Sequence, residues 1–374
     1  MTATTSTSIS PTRVTPNGLV TGPGVDDTGI TLGLLVDPGT DRGFSAGVEL
    51  WQQSVNAAGG LCGRSIQTDA TGSAGESLAA GYPRTAVGSL GLIALPAAAD
   101  AGALDALVMA DEMPTLTLTG SSAALSGTGM VPIGATEDIK SINALAYLRS
   151  TGKLLPGSAL GVVTDSSAAA RNASAGAKWW AQANGVTVVE TATGIVSPDV
   201  RAVLVVAAPA EVQRVLSSVP ATTDVVTNLA GYDPAQVSGP AGRLLITMAA
   251  PAFGSDNPGA AAVARAFVAA GKTDPGPNLM SGYGVAAAWG RLIVQACAQR
   301  TLTRAGISAA MEAVGPAPAD SLFGPSDPGL VVGSALPATR VSSVASADPK
   351  APAGLRPLIW LQAAPGIARY LPTR

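Results

Sequence analysis

Residues 30–63 constrain the fold of this chain more than any other stretch. Residues 30–36 are a short, continuous apolar run, which is typical of a parallel strand buried on both faces. After a break at residues 37–39, apolar residues recur at helical spacing: Phe44, Val48, Trp51 and Val55. The paired glycines of residues 56–60 end this helix, and residues 64–70 return to the sheet. The stretch therefore predicts a βαβ unit, in which ligands bind outside the carboxyl end of the first strand.

Composition bounds the class of protein. The chain has 374 residues, which is long enough for two or three domains or one large α/β body. Hydrophobic residues make up 47% of it, which is enough for a packed core. The formal net charge is −3 and the Lys and Arg residues do not cluster, so nucleic acid and anionic membranes are not expected as partners.

The chain contains no histidine, which excludes Ser-His-Asp and Cys-His catalysis and HExxH zinc sites. Its two cysteines cannot form a tetrathiolate site. Spaced carboxylate motifs, a nucleophile elbow and a phosphate-binding loop are also absent from the sequence. We therefore expect no enzyme, no metal and no cofactor.

Three stretches resemble the type I periplasmic solute-binding proteins, in particular the branched-chain amino acid and amide receptors of ABC importers. The first is the opening unit with its N-A-A-G-G-x-x-G-R ending at residues 56–64. The second is P-T-L-T-L-T-G-S-S-A-A-L-S at residues 114–126, and the third is G-P-A-G-R-L-L-I-T-M at residues 239–248. The resemblance covers residues 28–371.

The resemblance implies an α/β fold of two doubly wound parallel-sheet lobes, joined by three crossovers, with a ligand cleft between the lobes. The N-terminal lobe would comprise residues 28–133 and 249–328. The C-terminal lobe would comprise residues 134–248 and 329–374. Residues 1–27 are rich in Ser, Thr, Pro and Gly and are expected to form a flexible tether.

The resemblance also implies ligand-binding residues. Thr119 and Ser121 match positions that hold the ligand's carboxylate; the residues alone favour a simple Ser/Thr/Gly turn, whereas the resemblance favours the site. Asp233 matches an acidic residue that meets the ligand's ammonium group, with Tyr232 as a cleft wall; the alternative is an Asp-Pro turn. The full predicted set is Thr40, Asp41, Ala99, Asp100, Thr119, Gly120, Ser121, Ala169, Tyr232 and Asp233.

Several positions depart from the amino acid receptors. Thr40 stands where a tyrosine is common, residues 97–99 are alanines where a hydroxyl-bearing pair is expected, and residues 168–170 are alanines in place of a Tyr-Gly. The absence of these aromatic and hydroxyl-bearing residues argues against leucine as the ligand. It favours a larger or less polar ligand, such as an aromatic acid, an amide or a carboxylated steroid.

The two cysteines, Cys62 and Cys297, are disulfide candidates if the protein is exported, and two buried thiols otherwise. Residues 1–25 lack the apolar core of a signal peptide, so the resemblance implies an export signal or lipid anchor upstream. The apolar window at residues 91–110 contains Pro96, Asp100 and Asp105, which argues against a membrane span.

The predicted function is therefore that of a monomeric, extracytoplasmic solute-binding protein whose partners are a small ligand and the membrane subunits of an ABC transporter. The alternative is a ligand-sensing regulator of the amide-sensor type, without transport. An oxidised cysteine pair would count against that alternative.

Overall fold

The computed structural model describes residues 12–74, 77–118, 120–191, 196–197, 199–237, 241–318, 320–325 and 337–372. The strands, in chain order, are β1 Arg13–Val14, β2 Val20–Thr21, β3 Gly29–Val36, β4 Ser65–Asp69, β5 Leu92–Leu95, β6 Thr115–Thr117, β7 Met130–Pro132, β8 Ala159–Thr164, β9 Thr187–Thr191, β10 Val200–Val206, β11 Asp224–Asn228, β12 Leu244–Met248, β13 Thr301–Leu302, β14 Ser342–Ala347 and β15 Leu355–Gln362. The α-helices are α1 Pro38–Asp41, α2 Phe44–Ala57, α3 Leu78–Ala86, α4 Ala101–Ala110, α5 Glu137–Ser150, α6 Ala168–Asn184, α7 Pro209–Ser218, α8 Pro258–Ala269, α9 Leu279–Ala298 and α10 Arg304–Ala313.

The first lobe is built on a sheet of five parallel strands in the order β4-β3-β5-β6-β7. Helices α2 and α9 pack together over one face, where Trp289 is fully buried. Helices α3 and α4 cover the other face. Gly47 permits the close approach of α2 to α9, because a Cβ atom there would lie 2.1 Å from the carbonyl oxygen of Leu279.

The second lobe is built on a seven-stranded sheet in the order β15-β14-β12-β11-β10-β8-β9. Helices α5 and α6 cover one face and α7 the other. The predicted α/β class with two sheet-based lobes is confirmed. The sheet of this lobe is parallel except at one edge, where β14 is antiparallel to both β12 and β15. These two strands form a hairpin, and a short connection can join only antiparallel neighbours.

The chain passes between the lobes after β7 and again after β12. The predicted third crossover, at residues 328–329, lies outside the described residues. The exact division of the chain between the lobes therefore stays a prediction.

Part of the expected tether is structured. Strands β1 and β2 form an antiparallel pair, and β13 adds to β2 in parallel. Leu19 is buried in the core of the first lobe. Low hydrophobicity predicts a free segment when no partner is near, but here β13 supplies the missing hydrogen bonds. Residues 1–11 lie outside the described residues.

The predicted Cys62–Cys297 disulfide is present, with the two Cα atoms 6.4 Å apart. It joins the loop after α2 to the last turn of α9. No helix in the described part of the chain is long and apolar enough to cross a membrane.

Candidate ligand-binding cleft

A cavity of about 640 Å³ lies between the two lobes, a size within the range of small-molecule sites. The ends of strands from both sheets open onto it, among them Leu95 and Thr117 from the first lobe and Asn228 and Thr247 from the second. This placement follows from the topology, since the carboxyl ends of parallel strands meet at one edge of each sheet.

Most of the cavity wall is apolar and built from small or flexible side chains. The apolar lining residues are Leu95, Pro96, Ala97, Ala98, Ala101, Leu118, Leu125, Met130, Pro132, Ala168, Ala169, Leu229, Ala230, Met248 and Ala249. Among the described residues, none that lines the cavity is aromatic. Such a wall leaves room for a bulky apolar group of a ligand.

A polar cluster from the second lobe interrupts this wall. It consists of Glu137 and Lys140 in the first turn of α5, together with Asn228 and Thr247, which are register partners on β11 and β12. The Lys140 Nζ atom lies 2.6 Å from Glu137 Oε1, and the Asn228 Nδ2 atom lies 3.3 Å from Glu137 Oε2. Glu137 and Lys140 are only 8% and 4% exposed, so this ion pair is largely withdrawn from water.

Arg42 connects the two lobes at the cavity. It follows α1 in a left-handed conformation (φ 41°), and its guanidinium donates to the carbonyl oxygens of Leu229, at 3.0 Å, and Tyr232. Asn278, at the start of α9, supports this loop by donating its backbone N–H to Arg42 O and its Nδ2 to Thr40 O. The Oδ1 atom of Asn278 is buried without a hydrogen-bond partner among the described residues.

A second link between the lobes surrounds Asp138, which is fully buried. Its carboxylate accepts hydrogen bonds from the hydroxyls of Ser122, at 2.5 Å, and Tyr370, at 2.8 Å. Burial, and after it the charge of Asp138, raises the pKa of Tyr370. Asn172 on α6 also bonds Ser122. The 120–127 loop of the first lobe is thereby held against α5 and α6 of the second.

A sequence profile of the periplasmic binding protein family matches residues 36–329. The chain belongs to this family. No curated protein matches it in sequence.

Solved structures share the whole fold at low sequence identity. A fatty acid ABC transporter substrate-binding protein from Thermomonospora curvata superposes with a TM-score of 0.81 at 23% identity, covering 96% of this chain and 98% of that one. A possible leucine/isoleucine/valine-binding protein from Rhodopirellula baltica SH 1 superposes with a TM-score of 0.68 at 14% identity, covering 90% of this chain and 98% of that one. A solute-binding protein from R. palustris in complex with 4-hydroxybenzoate superposes with a TM-score of 0.69 at 13% identity, covering 90% of this chain and 97% of that one.

Four of the predicted site residues line the cavity of this periplasmic binding protein: Thr40, Gly120, Ser121 and Ala169. The Thr40 hydroxyl is already engaged, because it donates to Asp37 O and Leu95 O. Thr119 lies outside the described residues. That these residues contact a ligand stays a prediction.

Three other predicted residues do not line the cavity, because they have local structural roles or face solvent. Asp41 accepts a hydrogen bond from Ser45 N, 2.9 Å away, at the start of α2. Asp100 accepts from Leu78 N at the start of α3. Ala99 is exposed, and the alanines that do face the cavity are Ala97 and Ala98, slightly earlier in the same loop.

Tyr232 and Asp233 are not part of the cavity wall either. Tyr232 is fully buried in the core of the second lobe, where its hydroxyl donates to Gly354 O. The Asp233 carboxylate accepts from Ala235 N, at 3.0 Å, and Gln236 Nε2, at 2.8 Å. These bonds fit the Asp-Pro turn interpretation, and a contact of Asp233 with a ligand ammonium stays a prediction.

The sequence analysis missed Arg42, Glu137, Lys140 and Asn278. A local signal existed for Glu137 and Lys140, which stand three residues apart just after a predicted crossover, where a first helical turn faces the cleft. Arg42 and Asn278 carry no such signal, because their roles depend on contacts between distant segments.

Proposed function

We propose that this protein is the substrate-binding component of an ABC transporter and that it holds a small organic acid with an apolar body between its lobes. The main support for this proposal is the cavity of about 640 Å³ between the lobes, with its apolar wall and its buried polar cluster. Membership in the periplasmic binding protein family supports the transport role. We infer a monomer that delivers its ligand to the membrane subunits.

Ligand capture would proceed by hinge closure. The lobes would move about the junctions near residues 133–134, 248–249 and 328–329. A ligand that contacts both lobes stabilises the closed form relative to the open one and shifts the equilibrium accordingly. The Arg42 and Ser122 contacts across the cleft belong to that closed form.

An apolar acid is favoured over leucine. The lining offers no aromatic side chain among the described residues, and the predicted ammonium partner Asp233 is engaged in a turn. Two of the structural neighbours are described as a fatty acid transporter component and as a complex with 4-hydroxybenzoate, which points to the same class of ligand.

The compartment we propose is extracytoplasmic. The Cys62–Cys297 disulfide supports it, because disulfides persist mainly in oxidising environments. The same disulfide weighs against a cytoplasmic ligand-sensing regulator.

Native mass spectrometry of the purified protein, followed by calorimetric titration with decanoate, 4-hydroxybenzoate, cholate, butyramide and leucine, tests this function. We expect one of the three acids to bind more tightly than leucine and butyramide. Preference for leucine or butyramide, or binding of none of the five, would contradict the proposal.

A matched pair of variants locates the binding site. Gly102 lines the cavity and Gly88 does not, and at both positions a Cβ atom meets nothing within 4 Å. Gly102→Phe should fill part of the cavity and weaken acid binding, whereas Gly88→Phe should leave it unchanged. Equal effects of the two substitutions would place the ligand elsewhere.

A further inference from the structure

We infer that Lys140 binds the carboxylate of the ligand and that Glu137 sets the strength of this contact. This inference rests on the proposed function and assigns the polar recognition within the same cavity.

The first observation is the incomplete hydrogen bonding of Lys140. A lysine ammonium has three N–H donors. Within the described residues, the Lys140 Nζ atom has a single partner, Glu137 Oε1 at 2.6 Å, although its side chain is only 5% exposed. Since buried donors without partners are costly, the remaining N–H groups need an acceptor in the cavity that Lys140 lines.

The second observation is that the carboxylates of the cavity wall already accept hydrogen bonds from the protein. Glu137 accepts from Lys140 through one oxygen and from Asn228 through the other. Asp105 accepts from the Thr128 hydroxyl, Gly129 N and Met130 N at 2.6–3.1 Å. Glu137 is thus engaged through both oxygens, whereas the three bonds to Asp105 all go to Oδ1.

The remaining polar groups favour an acceptor-rich ligand. Thr117 and Thr247 line the cavity, and their hydroxyls have no hydrogen-bond partner among the described residues. Apart from the buried amide oxygen of Asn278 and the Oδ2 atom of Asp105, these side-chain groups are donors or can act as donors. A carboxylate offers several acceptor sites and forms the stronger, charge-assisted hydrogen bonds to an ammonium.

The Glu137–Lys140 ion pair predicts the direction in which Glu137→Gln changes the affinity for acids. Glu137 compensates the charge of Lys140, and a ligand carboxylate must share the ammonium with it. Glu137→Gln removes that competing charge and keeps an amide oxygen near Lys140, while its amide nitrogen replaces the oxygen that accepts from Asn228 Nδ2, so that one hydrogen bond is lost. The variant should therefore bind acids more tightly than the wild type does.

Calorimetric titration with two matched ligand pairs, decanoate with decanamide and benzoate with benzamide, tests the inference. Lys140→Met alone would leave Glu137 as an unpaired buried carboxylate, so the double variant Glu137→Gln/Lys140→Met is used instead, with circular dichroism as a check on folding. Lys178→Met is the control, because it breaks an ion pair with Glu190 that is half exposed and lies outside the cavity.

We expect the wild type to prefer an acid over its amide by about tenfold or more, Glu137→Gln to increase that preference, and the double variant to abolish it. Lys178→Met should behave as the wild type. An acid preference that survives in the double variant, or an equal affinity for acid and amide in the wild type, would overturn the role of Lys140 while leaving the proposed function in place. A wild type that binds none of the four probes, nor the acids tested above, would instead overturn the proposed function.

Discussion

Tyr232 illustrates how far the role of one residue depends on its surroundings. Its phenol lies in the core of the second lobe and donates to Gly354 O, while its own carbonyl oxygen accepts from Arg42. Burial, with the carboxylates of Asp233 and Asp348 adding to it, raises the pKa of Tyr232 to about 12. The residue therefore stabilises the lobe, and only its backbone reaches the cleft.

This raised pKa predicts a loss of stability at high pH. Because the folded state holds the phenolic proton more tightly than the unfolded state does, the stabilisation is complete below about pH 10 and is lost as the pH rises towards 12. The loss from Tyr232 should amount to roughly 2 kcal/mol of unfolding free energy. Urea unfolding between pH 8 and pH 12 measures it.

Tyr232→Phe is the matched variant for this measurement. It should lower the unfolding free energy at neutral pH by about 1 kcal/mol, through the lost hydrogen bond. Its stability should then decline less steeply above pH 10, although Tyr82 and Tyr370, whose pKa values burial also raises, still contribute. Identical slopes for the variant and the wild type would contradict the assignment.

At the scale of elements, the packing of α2 against α9 organises the first lobe. Gly47 on α2 and Gly282 on α9 allow the contact, since a Cβ atom at Gly282 would lie 1.9 Å from the carbonyl oxygen of Phe44. The Cys62–Cys297 disulfide fastens the same two elements from the end of α9. This helix pair forms the support on which the Arg42 loop and Asn278 rest.

Removal of the disulfide should destabilise the fold without affecting the cavity. The bridge closes a loop across 235 positions of sequence, so Cys62→Ala/Cys297→Ala should lower the unfolding free energy by about 2–5 kcal/mol. Denaturant unfolding measures this, and reduced wild type should match the variant. Neither cysteine lines the cavity, so ligand affinity should not change. An unaltered unfolding midpoint would show that the disulfide does not stabilise the fold.

At the scale of the whole molecule, a few polar contacts hold the lobes together. They include Arg42 with the carbonyl oxygens of Leu229 and Tyr232, Ser122 with Asp138, and the Trp360 indole with Asp256, at 2.6 Å. Such contacts are few enough to break when the cleft opens, whereas the cores of the two lobes remain separate and intact.

Arg42→Ala should shift the molecule towards an open form. Because the guanidinium bonds two carbonyl oxygens of the opposite lobe, its loss should weaken ligand binding by about tenfold and increase the radius of gyration of the ligand-bound protein in small-angle X-ray scattering. Arg149→Ala is the control, because Arg149 donates to Asn184 O within the second lobe. Equal affinities of the two variants would contradict a role for Arg42 in closure.

The sequence by itself determined the opening βαβ unit and, through it, the α/β class. Those features follow from local patterns: the apolar run of residues 30–36, the helical spacing of residues 44–55, and the glycines that follow that helix. They need no knowledge of distant contacts.

Only the tertiary structure decided which side chains face the cleft. Asp41, Asp100 and Asp233 are carboxylates close to the ends of strands, yet each bonds a nearby N–H group of its own lobe instead of facing the cavity. Lys140 lines the cavity because α5 begins where the chain enters the second lobe, and its partner Glu137 meets Asn228 from a strand 91 positions later. The physical reason is that burial and hydrogen-bond partners are set by the packing of remote segments, which local sequence patterns do not encode.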